Sequence, residues 1–144
     1  MKITLTKDVK VPERGTSEAA GLDFFVPNEF GPYVVEPGKS IKIPSGVKMV
    51  IPKGMAGIFM NKSSHGSKGI LVGACVVDSD YRGEVHLDLH NVSLESFVIK
   101  PGMKIVQMIV QRVELEDITV ITNNAFEAQA DTERGEGGFG STGA

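Results

Sequence analysis

The sequence predicts an all-β domain on three observations. Turn signals recur at short intervals, the runs between them are strand-sized and rich in Val and Ile, and no segment sustains a helical period. Pro and Gly adjoin at 31–32, 37–38 and 101–102, and Pro-Lys-Gly occupies 52–54. Each such pair marks a turn, because Pro fixes φ and Gly tolerates the left-handed region. The candidate strands, in order, are 2–5, 22–26, 40–43, 47–51, 57–60, 70–77, 84–90, 97–99, 105–113 and 118–121. Runs 40–43 and 47–51 flank Pro44 and Gly46; 57–60 follows the turn at 52–54. In 84–90 the alternation is complete: Val85, Leu87 and Leu89 share one face and Glu84, His86, Asp88 and His90 the other. One face therefore packs on a core and the other meets water. Only the polar stretch 61–68 reads as a short helical turn or loop, and a sandwich or jelly roll is the simplest architecture.

Composition bounds the function. The chain has 144 residues, 41% hydrophobic with zero mean hydropathy, enough for one domain with a core but not for two. A formal charge of −3 offers no excess of basic side chains for nucleic-acid backbone or anionic lipid, so no direct nucleic-acid or membrane partner is expected. The one cysteine, Cys75, closes no disulfide within the chain and reads as a small buried filler, and a reducing compartment, the cytoplasm, is expected. No apolar run approaches a membrane span, and the start, MKITLTKDVK, lacks a continuous apolar stretch. From Asp131 onward the apolar pattern stops, and five of the seventeen glycines fall between Gly135 and Gly143. The expected organisation is a β domain over 1–130 and a flexible C-terminal arm over 131–144, mobile until something binds.

Some motifs fail on context. Gly135-Glu-Gly-Gly-Phe-Gly140 matches a dinucleotide fingerprint, but no βαβ pattern surrounds it and too few residues follow for a helix. Gly38-Lys39-Ser40 lacks the upstream glycine of a phosphate loop, Tyr33 standing there. His86, Asp88 and His90 could grip a divalent metal, but a solvated or interface-facing polar stripe is the simpler reading. Four polar clusters remain that suit a phosphorylated ligand. Lys62-Ser63-Ser64, with Gly66 and Gly69, offers a cation, hydroxyls and free amides. The segment 76–84 runs from Val76-Val77 into Asp78 and Asp80, then Tyr81 and Gly83. Gln107 interrupts an apolar run. Arg134 to Gly143 carries a guanidinium, hydroxyls and Phe139, an aromatic suited to a base.

With Ala19-Ala20-Gly21-Leu22-Asp23 and Pro101-Gly102-Met103-Lys104-Ile105-Val106-Gln107 added, these segments resemble, in order, the five motifs of the homotrimeric deoxyuridine triphosphatase (dUTPase) family. The resemblance spans positions 19 to 143, and its third and fifth motifs are long and specific. It implies a distorted jelly-roll (β-clip) subunit, a homotrimer with sites between subunits, and hydrolysis of dUTP to dUMP and pyrophosphate with Mg²⁺, which limits uracil in DNA and supplies dUMP. It assigns Asp78 to the water that attacks the α-phosphorus, and Tyr81 to the deoxyribose face. Gly73, Val77 and the backbone around His86 fall to the base. Lys62, Ser63, Ser64 and Gln107 fall to the phosphates; Arg134, Phe139, Gly140, Ser141 and Thr142 to a closing arm; Asp23 to a supporting role. No residue is assigned as a direct Mg²⁺ ligand, since the metal is held through the triphosphate and water. The implied compartment is the cytoplasm, or the host cytoplasm if the source is viral.

The chain departs from the family pattern at Lys62, where arginine is usual, at Cys75, where glycine is usual, at Val72, where an Asn is frequent, and at Met103, where Asp is usual. Replacing Arg by Lys keeps the charge but loses the bidentate fork. The alternatives are a dCTP deaminase-like enzyme, a catalytically weak dUTP-binding regulator, and a β-sandwich adaptor that binds no nucleotide. The arm with Phe139 argues against the first, and Lys62 is the one feature favouring the second.

Overall fold

The computed structural model describes residues 1–129, 131–138 and 141. The chain divides into two compact units, Met1–Glu114 and Leu115–Ala144, treated separately below. The first holds the strands β1 (Lys2–Leu5), β2 (Glu13–Arg14), β3 (Leu22–Phe25), β4 (Tyr33–Val35), β5 (Ser40–Val50) and β6 (Met55–Asn61). After a one-turn helix α1 (Ser63–Gly66) come β7 (Ile70–Val72), β8 (Val76–Val77), β9 (Glu84–Asn91), β10 (Phe97–Ile99) and β11 (Lys104–Arg112). They form a four-stranded sheet in the order β1-β5-β9-β7, a five-stranded sheet β2-β3-β11-β6-β8, and a two-stranded ribbon of β10 and β4. All pairings are antiparallel. This is the jelly roll that the resemblance implies.

The alternation read in β9 holds. Val85, Leu87 and Leu89 are buried, and they join Ile43, Val47 and Met49 of β5 and Phe24, Phe59, Ile105, Val106 and Met108 of the other sheet in one core. Phe24 and Phe59 meet edge to face, with centroids 4.9 Å apart, a favourable arrangement of ring quadrupoles. The buried Asn91 closes β9. Its amide donates to the carbonyls of Val35 and Glu95, at 2.8 and 2.7 Å, while its Oδ1 accepts from Ser93.

Several boundaries depart from the sequence reading. The runs 40–43 and 47–51 are one strand, carried past Pro44 by a register irregularity against β9 and by Gly46 at φ +73°. The run 70–77 is two strands in different sheets, because Ala74 turns the chain with φ +45°. The expected strand 118–121 is absent. Strands need a hydrogen-bonded neighbour, and this segment finds none among the described residues; Ile118 and Val120 are almost fully exposed. β2, β4 and the helix α2 (Asn123–Glu127) were not expected; α2 begins where the Thr122 hydroxyl accepts from the Ala125 amide.

Candidate active site

Two polar clusters stand in the first unit, and β6 separates them. The first gathers three segments far apart in sequence. Asp23 on β3 lies in register opposite Gln107 on β11, and Gln107 lies opposite Met60 near the end of β6, where the chain turns into Lys62-Ser63-Ser64. Gln107 donates through Nε2 to the Asn61 carbonyl at 2.9 Å. Its side chain also crosses so close to Gly21 that a Cβ there would fall 2.3 Å from Oε1, which explains the glycine before Leu22. Asp23 is 7% exposed and accepts from the Lys62 ammonium, with the Lys104 ammonium 3.2 Å away. Burial alone would push the Asp23 carboxyl up, but the hydrogen bonds and charges of Lys62 and Lys104 outweigh it, and it is held below its ordinary value. Glu13, paired with Lys10 at 2.6 Å, is lowered chiefly by that hydrogen bond. Ser63 and Ser64 are exposed on α1, with their hydroxyls free of partners among the described residues.

The second cluster surrounds an open cleft of about 350 Å³ lined by Lys42, Phe59, Ala74, Val76, Val77, Asp78, Tyr81, Val85 and His86. Val77 ends β8, and Asp78 starts a turn in which the Tyr81 amide donates to the Asp78 carbonyl at 3.2 Å. Arg82 ties that turn from outside, donating to the carbonyls of Ser79 and Tyr81 at 2.8 and 2.9 Å. The Tyr81 hydroxyl donates to the Glu84 carbonyl at 3.0 Å, and its ring lies over Gly83, where a Cβ would come within 2.5 Å of Cζ. The ring is thus fixed as one wall of the cleft. The Asp78 carboxylate is exposed and has no ion-pair partner among the described residues. Gly73 lies outside the cleft, packed so that a Cβ would fall 2.5 Å from His90 Nε2 and 2.8 Å from Asp88 Oδ2. His90 Nε2 and Asp88 Oδ2 are 3.7 Å apart, and among the described residues no three His, Cys, Asp or Glu gather to hold a metal.

The two clusters lie at different levels of β6. Val77 pairs with Gly57, so Asp78 continues toward Ala56, whereas Lys62 follows the opposite end of β6. Six residues of strand separate those levels, about 20 Å at about 3.3 Å per residue.

In the second unit, Arg134 donates through Nε to the Gly137 carbonyl at 2.9 Å, and the Ser141 amide donates to the Gly138 carbonyl at 3.0 Å. Gly137 allows Ser141 to approach, since a Cβ there would fall 2.8 Å from Oγ. Arg134 and Ser141 thus share one turn. Phe139, Gly140 and Thr142 lie outside the described residues.

The sequence reading missed Lys42, Lys104 and His65. Lys42 lies opposite Asp88 in register and so shares the wet face of β9; the polar alternation Ser40, Lys42 was the available signal. His65 Nε2 lies 3.0 Å from the Lys104 carbonyl, a contact across 39 residues that no local pattern announces.

Such a fold and such clusters define a jelly-roll subunit with a cation- and hydroxyl-rich turn at one end of a central strand and a carboxylate-edged cleft at the other. The dUTPase family model matches residues 7–143, and the chain belongs to the dUTPase family. The deoxyuridine 5'-triphosphate nucleotidohydrolase of Mus musculus is 34% identical over 98% of this chain and 83% of its own length. That of Escherichia phage T5 is 34% identical over 99% of this chain and 98% of its own. The dUTPase of Staphylococcus bacteriophage 80alpha, solved with dUpNHpp, superimposes with a TM-score of 0.86 at 24% identity, covering 99% of this chain and 98% of that one. The phage phi11 dUTPase, whose structure coordinates a structural Mg(II) ion, gives a TM-score of 0.75 at 20% identity over 83% of this chain and 95% of its own.

Proposed function

We propose that this protein hydrolyses dUTP to dUMP and pyrophosphate as a homotrimer whose sites form between subunits. Family membership supports the activity. The observation that supports the assembly is the separation along β6: Asp78 and Lys62 of one chain stand at opposite ends of that strand, about 20 Å apart. A closed symmetric assembly solves this by facing the cleft of one copy with the turn of the next. The exposed segment 118–121, with Ile118 and Val120 uncovered and no strand neighbour among the described residues, suits pairing with another copy.

In this reading the base enters the cleft beside Val77 and His86, where backbone groups meet its polar edge, and the sugar rests on the Tyr81 ring. Gly73 acts indirectly, letting the polar face of β9 close beside the loop. Asp78 takes a proton from the water that attacks the α-phosphorus, the bond from that phosphorus to the bridging oxygen breaks, and pyrophosphate leaves. Lys62, Ser63, Ser64 and Gln107 bind phosphate oxygens. Lys62 can do so while paired, because an ammonium has three donors and Asp23 takes one. Asp23 supports the site by fixing Lys62. The arm, 131–144, closes over the nucleotide through Arg134, Phe139, Gly140, Ser141 and Thr142, excluding water other than the attacking one.

The donor chemistry fits Mg²⁺ carried by the substrate. Mg²⁺ prefers oxygen ligands and keeps several waters, so the triphosphate and water would hold it, while Asp78 keeps its role as base. When bound, the metal neutralises charge on the triphosphate.

The test is pyrophosphate release from dUTP, dCTP, dTTP and UTP with Mg²⁺ or EDTA. The expected outcome is strong preference for dUTP and loss of turnover with EDTA. Tight dUTP binding without turnover would instead favour a regulator, a reading that the substitution of Lys for Arg at 62 supports; ammonia release from dCTP would favour a deaminase.

A further inference from the structure

His65 sits in α1 directly after the two serines of the candidate phosphate turn, and the function above does not use it. Its surroundings are unusual. Nε2 lies 3.0 Å from the Lys104 backbone carbonyl, which can only accept, so Nε2 carries the proton. The ring stands edge to face with Phe97 of β10, centroids 5.4 Å apart. Nδ1 is left as a bare acceptor, buried and without a partner, the only such buried side-chain atom among the described residues. An unsatisfied buried polar atom is costly, and a leucine would fill the same apolar seat without that cost. What the imidazole provides that a leucine does not is the single donated bond to β11.

That bond completes a circuit. Lys104 is the residue whose ammonium approaches Asp23, and Asp23 accepts from Lys62 at the other end of the same turn. The turn 62–66 is therefore fastened at its start by the Lys62 ammonium to Asp23 and near its end by the His65 ring to Lys104. Between the two fastenings stand Ser63 and Ser64, exposed and otherwise unheld by side-chain bonds.

The geometry points to His65 as a positioning residue: its bond to the Lys104 carbonyl sets the turn so that the Ser63 and Ser64 hydroxyls and amides face the phosphates of the nucleotide. This inference rests on the function proposed above. It predicts an effect that grows with the number of phosphates on the ligand and is absent for the nucleoside, which ends before the turn.

The experiment compares wild type, His65→Leu and His65→Gln as full chains, by steady-state kinetics with dUTP and by calorimetric binding of deoxyuridine, dUMP and a non-hydrolysable dUTP analogue, with thermal midpoints recorded for each. Leucine keeps the apolar seat and removes the donor; glutamine keeps an amide donor at the Nε2 position. Expected for His65→Leu is a rise of about threefold to tenfold in KM and in the analogue's Kd, the range for one lost hydrogen bond, with deoxyuridine binding unchanged. Expected for His65→Gln is recovery of most of that loss. The inference is overturned if His65→Leu binds all three ligands as wild type does, if it weakens all three equally, or if His65→Gln folds with an unchanged midpoint and rescues nothing. A wild-type protein that neither binds nor turns over dUTP would instead remove the function on which the inference rests.

Discussion

The two ends of β6 are built on opposite principles. At the Lys62 end, charges are tied to one another: Asp23 holds Lys62 and Lys104, Glu13 faces Lys104 at 3.7 Å and pairs with Lys10. At the Asp78 end the carboxylate has no ion-pair partner among the described residues, and what is fixed is the scaffold around it, through hydrogen bonds from the Arg82 and Tyr81 side chains to backbone carbonyls and the close approach of Tyr81 to Gly83. The tied end is preorganised for an anion, with three cations set against two carboxylates, whereas the open end holds an exposed carboxylate suited to the base proposed for it.

The largest effect should come from separating the ends genetically. Asp78→Asn removes the proposed proton acceptor and should lower kcat by about 10²–10⁴-fold with the fold intact. Gln107→Ala together with Lys62→Ala should disable the other end. If the ends of one site belong to different copies, co-refolding the two inactive chains in equal amounts restores about a quarter of wild-type sites in a closed symmetric trimer with random mixing. Pyrophosphate release from the mixture is the measurement; continued inactivity in well-mixed trimers would mean that both ends serve a site within one chain.

The next effect is on stability and belongs to the tied end alone. Asp23→Asn leaves two ammonium groups without their shared carboxylate and should cost about 1–3 kcal/mol in urea unfolding, less than a fully buried pair because both lysines keep some contact with water. The acid response follows from the same pair. The Asp23 carboxyl is lower in the folded than in the unfolded chain, so its contribution is present above the ordinary carboxylate value and is lost as the pH falls through the folded one. Wild type should therefore lose stability below about pH 4 more steeply than Asp23→Asn. Parallel curves from pH 6 to pH 3 would show that the pairing contributes nothing.

Much of the open end was legible because its signals are local. Val76-Val77 running into Asp78, Tyr81 and Gly83 is a strand, a turn and a contact within eight residues, and the alternation of β9 placed His86 on the wet face. The tied end was legible only in part. Its residues were noticed singly, but Lys104 joins it through Asp23, far away in sequence, and His65 through Lys104, contacts that depend on β3, β6 and β11 becoming neighbours. The strand expected at 118–121 failed for a related reason: a pattern reports that a segment can be a strand, and a partner decides whether it is one.

The smallest effect falls at the open end. Ala74 lines the cleft with φ +45°, in the loop that carries the chain from β7 in one sheet to β8 in the other. A side chain in that conformation costs about 1–2 kcal/mol, and glycine avoids it, at the expense of a more flexible unfolded chain. Ala74→Gly should raise stability by about 0.5–1 kcal/mol if the strain is only a relic of crossing between sheets. If that strain instead presses Val76 and Val77 into place against β6, the same substitution should stabilise the protein yet loosen the cleft, raising KM for dUTP with kcat little changed. A thermal midpoint and a KM measured on the one variant separate the two, and a variant less stable than wild type would show that the alanine methyl is packed and not strained.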